Sequence, residues 1–376
     1  MQKNAALVLA AGKGTRMHSD KPKVLQSLLG EPMLACVLEA LRPVFAQDVW
    51  IVVGHKAEMV RAAFPGARFV PQEQQLGTGH ALMQAFPSLE QAGCTHVLVV
   101  NGDTPLLSEG VVRRFLAESA GQDLAFAAIE LDDPGAYGRV VRHADGSIAI
   151  VEAKEYDPSL HGPVSREVNA GMYFLSLPAV KALLPRLTND NRSGEYYITD
   201  LVALAVAEGL AVSGVRCGGD QNLLGVNSPR ELAQAEEMLR RRIVDNLLEK
   251  GVMIHAPEQV RVGPLARVEP GAELSGPCEI CGKTEIARGA SVASFCIVRD
   301  CVLAAGAQIR PFSHLEGASV GGEALVGPYA RLRPGAVLEE QSRVGNFVEL
   351  KKAHLGRGAK ANHLAYLGDT VVGEKA

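Results

Sequence analysis

The chain has 376 residues, of which 47% are hydrophobic, enough to build more than one core. Its 38 basic and 42 acidic residues leave a formal net charge of −4, without the cationic footprint that nucleic acid demands, and no apolar run reaches membrane-spanning length. Seven cysteines, an odd number scattered over a long chain, argue against a disulfide framework, and the short N-terminal apolar run leads straight into a glycine loop rather than a cleavage site, so a cytoplasmic protein is expected.

The run Ala5–Ala11 predicts a short strand buried on both faces. After it, "GKGTRMHSDKPK" places Gly12 and Gly14 where the backbone must turn tightly and approach a ligand, with Lys13, Arg16, Lys21 and Lys23 within reach of an anion. A dinucleotide fingerprint needs glycine where Met17 stands, and the Walker pattern is absent, so the loop suits phosphate without either standard label. Strands are expected at Val49–Gly54, His96–Val100 and Leu124–Leu131, with helical segments such as Ala57–Ala63 and Glu109–Ser119 between them. That alternation implies an α/β domain with a Rossmann-like, mostly parallel sheet, ligands lying at the carboxyl ends of its strands.

Four further motifs carry chemistry. "QLGTGHA" (Gln75–Ala81) reads as a second glycine loop, with His80 a structural loop histidine. "NGDTPLL" (Asn101–Leu107) sets Asp103 directly after a buried strand, where an acid suits Mg²⁺. "AYGRV" (Ala136–Val140) marks another close backbone approach, and "GVN" (Gly225–Asn227) offers a second metal ligand in Asn227. Pro229–Leu248 keeps Leu232, Ala235, Leu239, Ile243 and Leu247 on one helical stripe and reads as a connector. The expected division is 1–228, a connecting helix over 229–250, and 251–376.

Beyond Gly251 the period becomes six. Val262, Val268, Leu274, Ile280, Ile286, Val292 and Val298 are each six apart, and small residues (Ala266, Ala272, Cys278, Thr284, Ala290, Cys296) stand two places before all but the first. The pattern restarts at Val320 and runs through Val326, Leu332, Leu338, Val344 and Leu350. One aliphatic and one small inward residue per hexad is the signature of a parallel β-helix, and it explains Cys278, half of a CxxC with Cys281, without zinc. Such a prism is expected to form a homotrimer about its long axis.

A phosphate cradle, cations and a metal acid together suggest nucleotidyl transfer. A sugar 1-phosphate acceptor, with its second pKa near ~6, is already anionic at neutral pH, so no general base is needed. In order, "LAAGKGTRM", "QLGTGHA", "NGD", "YGRV", "VEAK", "VNAG", "GEYYITD", "GVN", the hexads and "NHLAYLGD" resemble the bacterial bifunctional N-acetylglucosamine-1-phosphate uridyltransferases and glucosamine-1-phosphate acetyltransferases over the whole chain. The resemblance implies a left-handed β-helix and Mg²⁺-dependent synthesis of UDP-N-acetylglucosamine from UTP and N-acetylglucosamine 1-phosphate. It implies that Leu9, Ala10, Ala11, Gly12, Lys13 and Gly14 line the uridine and phosphates, with Asn101 and Gly102 nearby. Arg16 and Lys23 would bind the triphosphate, and Gln72, Gly77 and Thr78 would read uracil. Asp103 and Asn227 would hold the metal, and Gly138, Glu152, Asn169 and Thr199 would contact the sugar. In the second half it implies acetyl transfer from acetyl-CoA to an amine, with His363, in an interruption of the hexads, as base. Arg333 and Lys351 would bind the sugar phosphate, and Tyr366 would orient the substrate. Family members continue beyond the position matching Ala376, so the chain reads as truncated within the β-helix, and little acetyl transfer is expected of it. The rivals are another sugar-1-phosphate nucleotidyltransferase with a β-helix, a non-catalytic assembly subunit, and a pure hexapeptide acetyltransferase.

Overall fold

Residues of Asn4–Leu9 alternate between two buried faces and make this segment, β1, an interior strand of the first unit in a computed structural model that describes residues 3–143, 146–217 and 221–376. After it come α1 (Met33–Phe45), β2 (Val49–Val53), α2 (Ala57–Ala63), β3 (Arg68–Pro71), α3 (Thr78–Gln91), β4 (His96–Asn101), α4 (Glu109–Glu118) and β5 (Leu124–Glu130). They are followed by β6 (Arg139–Arg142), β7 (Ile148–Val151), β8 (Glu167–Ser176), α5 (Asp200–Ala207) and β9 (Val212–Arg216). The sheet runs β9-β5-β8-β4-β1-β2-β3, with β6 paired to β8 and β7 to β6.

Strands β4, β1, β2 and β3 are parallel, as the alternation of strands and helices predicts. The antiparallel strand β8, inserted between β4 and β5, is not announced by that alternation. Ala5 and Leu7 enter one core and Ala6 and Val8 the other, so both faces of the sheet are covered. At the carboxyl edge the Gly102 N–H donates to Leu9 O at 2.9 Å, which locks the ends of β1 and β4 together and sets the loops after them side by side.

The chain divides into two compact units, Met1–Gln26 with Pro32–Leu232, and Ser27–Glu31 with Ala233–Ala376. The short excursion 27–31 is invisible to periodicity. In the second unit its Leu29 N–H donates to Glu236 Oε2 at 2.9 Å, and the Gly282 N–H donates to Glu31 Oε1 at 3.0 Å. Leu29 (φ +47) and Gly30 (φ +87) form its tip, and a Cβ on Gly30 would stand 2.8 Å from that of Cys281. Glu31 is buried, and desolvation raises its carboxyl pKa.

The rest of the second unit is a three-faced parallel β-helix. Val262, Ile280, Val298, Leu315, Leu332 and Leu350 stack coil upon coil in one ladder. All are buried, and so are the small inward residues Ala272, Cys278, Ala290 and Cys296. The hexad therefore maps directly onto one short strand and one corner per face. Burial pushes the Cys278 thiol up to about 12 and the Cys301 thiol up to about 11, as befits small apolar fillers. At one corner Phe295, Phe312, Tyr329 and Phe347 stack in a partly exposed ladder, with ring centroids 4.8, 4.8 and 5.3 Å apart. Among the described residues no helix is long and apolar enough to cross a membrane.

Candidate active site

Two cavities open at the carboxyl edge of the first unit's sheet. The larger, about 420 Å³, is lined by the β1 terminus and its loop (Leu9–Lys13), Lys23, Gln72, Gly77 and Thr78. The smaller, about 210 Å³, is lined by Gly138, Glu152, Asn169, Thr199 and Asn227. Leu9, Thr78, Asn101 and Asp103 line both, so the two meet where β1 and β4 end.

The two loop glycines serve different ends. Gly14 sits at φ +60, and a Cβ there would stand 2.6 Å from the Cβ of Lys23, so only glycine lets the loop close over that side chain. A Cβ at Gly12 would meet nothing within 4 Å. Arg16 lies on an exposed 3-10 turn outside both linings, and Gly14 and Gly102 are likewise not among the lining residues. Lys23 does not stand free for phosphate. Its ammonium pairs with the Asp103 carboxylate and donates to Asn227 Oδ1 at 3.0 Å.

Asn227 is held by its own turn. Its Nδ2 donates to Gly225 O at 3.2 Å, which leaves Oδ1 turned toward Lys23, and its N–H donates to Glu231 Oε2 at 2.6 Å. The Val226 N–H donates to Asp103 O at 2.8 Å, tying "GVN" to "NGD". Asp103 Oδ1 is buried and has no hydrogen-bond partner. The buried Asp103 Oδ1, without a donor, fits a hard divalent cation that takes its other ligands from water and phosphate, and Asn227 Oδ1, which accepts from Lys23, could join it only in place of that ammonium. Among the described residues no cluster of three His, Cys, Asp or Glu offers a different metal site.

On the larger cavity's far wall, "GTGHA" is not a loop. It opens α3, with Gly77 as the cap residue at φ +105. A Cβ on Gly77 would stand 2.5 Å from Tyr196 O, while the Gly79 N–H donates to Tyr196 O at 2.8 Å and the Ile198 N–H to Thr78 Oγ1 at 3.1 Å. The "GEYYITD" segment therefore braces the glycines, a contact across some 120 residues that spacing does not reveal. Gln72 is buried, and its Nε2 donates to Gly77 O and faces His80 Nδ1, both at 3.0 Å. His80 is thus a structural helix histidine rather than a loop one.

In the smaller cavity, Glu152 Oε1 accepts from Thr199 Oγ1 at 3.0 Å, and burial raises its carboxyl pKa against that bond. The Asn169 N–H donates to Gly138 O at 2.9 Å. Tyr137 and Tyr173 also line this cavity, as Gln75 and Glu195 line the larger one, and sequence reasoning missed all four. "AYGRV", "QLGTGHA" and "GEYYITD" contained Tyr137, Gln75 and Glu195 without singling them out, whereas Tyr173 lies outside every motif.

In the second unit, His363 lies on the nine-residue strand Lys360–Gly368, paired in register with Arg343–Lys351, so the interruption of the hexads is a pair of long strands rather than a loop. His363 is opposite Asn346 and Tyr366 opposite Glu349, and both His363 and Tyr366 are exposed. The Arg333 N–H donates to Leu350 O at 2.8 Å, which sets Arg333 beside Lys351 one coil on, and its guanidinium pairs with Glu349 at 3.0 Å.

Residues 6–157 match the MobA-like NTP transferase domain family. The bifunctional protein GlmU of Nitratidesulfovibrio vulgaris strain Miyazaki F is 63% identical over 373 residues, covering 99% of this chain and 82% of the relative. Its counterpart in Methylibium petroleiphilum strain PM1 is 45% identical over 379 residues, covering 98% and 82%. Among solved structures, HddC from Yersinia pseudotuberculosis aligns over 63% of this chain and 100% of its own at 21% identity, with a TM-score of 0.46.

Proposed function

The chain belongs to the family of bifunctional GlmU proteins, and from that premise we propose how its first unit transfers the uridylyl group of UTP to N-acetylglucosamine 1-phosphate, releasing pyrophosphate and UDP-N-acetylglucosamine. The observation that carries the reading is the union of the two cavities at Asp103, one sized and lined for a nucleotide and the other for a sugar.

UTP occupies the larger cavity, its phosphates along Leu9–Gly14. Gln72 reads the base. Its Nε2 is committed to Gly77 O and His80, which leaves Oε1 to accept the imide N–H that uracil has and cytosine lacks. Lys13 and Arg16 neutralise the triphosphate, and Lys23 joins them on releasing its bonds to Asp103 and Asn227. The sugar sits in the smaller cavity against Gly138, Glu152, Asn169 and Thr199, its phosphate directed at the junction. Because that phosphate is already an anion, the residues here align and neutralise rather than remove a proton. Mg²⁺ fits the oxygens of Asp103 and Asn227, and when bound it supplies charge neutralisation to the reacting phosphates.

To the second unit we assign acetyl transfer from acetyl-CoA to the 2-amine of glucosamine 1-phosphate, against the expectation of little such activity, because the relative that is 63% identical over 373 residues is named bifunctional. His363 serves as base, Arg333 and Lys351 bind the sugar phosphate, and Tyr366 orients the substrate. We further assign a homotrimer built through the β-helix, which the exposed ring ladder on its corner supports.

The test is pyrophosphate release with each nucleoside triphosphate, offered with N-acetylglucosamine 1-phosphate or glucose 1-phosphate. Release confined to UTP with the acetamido sugar is expected. Preference for ATP and glucose 1-phosphate would replace the reading with an adenylyltransferase.

A further inference from the structure

The smaller cavity holds a buried hydroxyl to which no role has been given, that of Tyr173. In a regular strand, residues 169 and 173 would be about 13 Å apart along one face. Strand β8 bulges between them, with Gly171 at φ +73, and Asn169 Nδ2 comes to 2.6 Å from the Tyr173 hydroxyl. The amide orientation is settled by its other end, where Asn169 Oδ1 accepts the Gly171 N–H at 3.0 Å. The phenolic oxygen is therefore the acceptor in this pair and keeps its own proton, for which no described residue provides an acceptor.

Burial, with Glu152 close by, pushes the phenol's pKa well up, so the group is a neutral donor throughout the working range. Asn169 and Tyr173 thus have two donors to offer, the second Nδ2 proton and the phenolic O–H, while Glu152, which lines the same cavity, offers an acceptor. An acetamido group has the matching pair, a carbonyl oxygen with two lone pairs and an N–H.

We propose that Tyr173 is a specificity-determining residue for the acceptor sugar. It holds Asn169 in place and donates its own proton to the carbonyl of the sugar's acetamido substituent. The inference rests on the uridylyl-transfer reading above. Replacing Tyr173 with Phe keeps the ring and removes one oxygen, leaving Asn169 Nδ2 without its acceptor.

The experiment is steady-state kinetics of the full chain as wild type, Tyr173→Phe, Asn169→Ala and the double variant. The expected result for Tyr173→Phe is a roughly tenfold rise in KM for N-acetylglucosamine 1-phosphate, with KM for UTP and kcat within about twofold and a narrowed preference over glucose 1-phosphate. Adding Tyr173→Phe to Asn169→Ala should cost less than it does in the wild type, because the two groups act as a pair. An unchanged sugar KM, or equal rises in both KM values, would overturn the proposal. Should the Phe variant not fold, Asn169→Ala must show the same confined effect, or the proposal falls. Wild-type turnover of this substrate pair tests the underlying reading. The variant-to-wild-type ratio, taken with whichever sugar 1-phosphate the wild type accepts, tests Tyr173 alone.

Discussion

Truncating Asp103 to Ala should destabilise the first unit through the cation it leaves behind. The Lys23 and Asp103 side chains are only 15% and 16% exposed, so their pairing takes place largely out of water. Removing one partner of a buried pair costs roughly 3–5 kcal/mol when the other charge is left fully buried. Here Lys23 keeps the bond to Asn227 Oδ1 at 3.0 Å and some solvent access, which brings the cost to about 2–3 kcal/mol. For a unit of this size that is a fall in Tm of about 5–10 °C. Trp50 is the chain's single tryptophan and is buried in β2, so its fluorescence follows unfolding of the first unit alone. Adding Lys23→Met removes the orphaned charge and should recover most of the loss, although the double variant remains without pyrophosphate release. A single variant within 2 °C of wild type, or a double variant no more stable than the single, would refute the reasoning.

Gly77→Ala forces a side chain onto a residue at φ +105, with its Cβ 2.5 Å from a backbone oxygen that cannot swing away. A cost of roughly 1–3 kcal/mol and a rise in KM for UTP that exceeds any rise for the sugar phosphate are expected, measured by thermal unfolding and initial rates. Glu152 is an acid whose folded pKa lies above its ordinary value of 4.5 because burial disfavours the carboxylate. The folded state then holds the proton to higher pH than the unfolded state does, so this group's contribution is full below 4.5 and is lost as pH rises through the raised folded value. Wild type should therefore lose stability relative to Glu152→Gln as pH rises through that window, read from denaturation midpoints of the two proteins at a series of pH values. A difference independent of pH would contradict the burial argument.

How much of this was legible in the sequence depends on how far apart the interacting residues lie. The hexads expose the β-helix because each coil repeats the same local demand, an aliphatic residue such as Ile280 and a small one such as Cys278 pointing inward. The strand before Gly12 and the position of Asp103 after β4 are equally local. What pattern reading misses is set by distant partners. Lys23 reads as a free cation until Asp103 and Asn227 are brought to it. Gly77 reads as a loop glycine, whereas it is needed for the approach of Tyr196. Tyr173 is a local exception, for nothing in "VNAGMYF" shows that a bulge will fold its hydroxyl back onto Asn169 four residues earlier. Arg333 reads as an unshared phosphate ligand until the coil above supplies Glu349.

The most direct test of the central claim, that uridylyl transfer takes place at the junction marked by Asp103, is pyrophosphate release from UTP and N-acetylglucosamine 1-phosphate with Mg²⁺. Wild type and Asp103→Ala would be compared well below the variant's melting temperature. Release by wild type and its loss in the folded variant are expected. Comparable release by both proteins would show that transfer does not depend on that carboxylate, and would contradict the account.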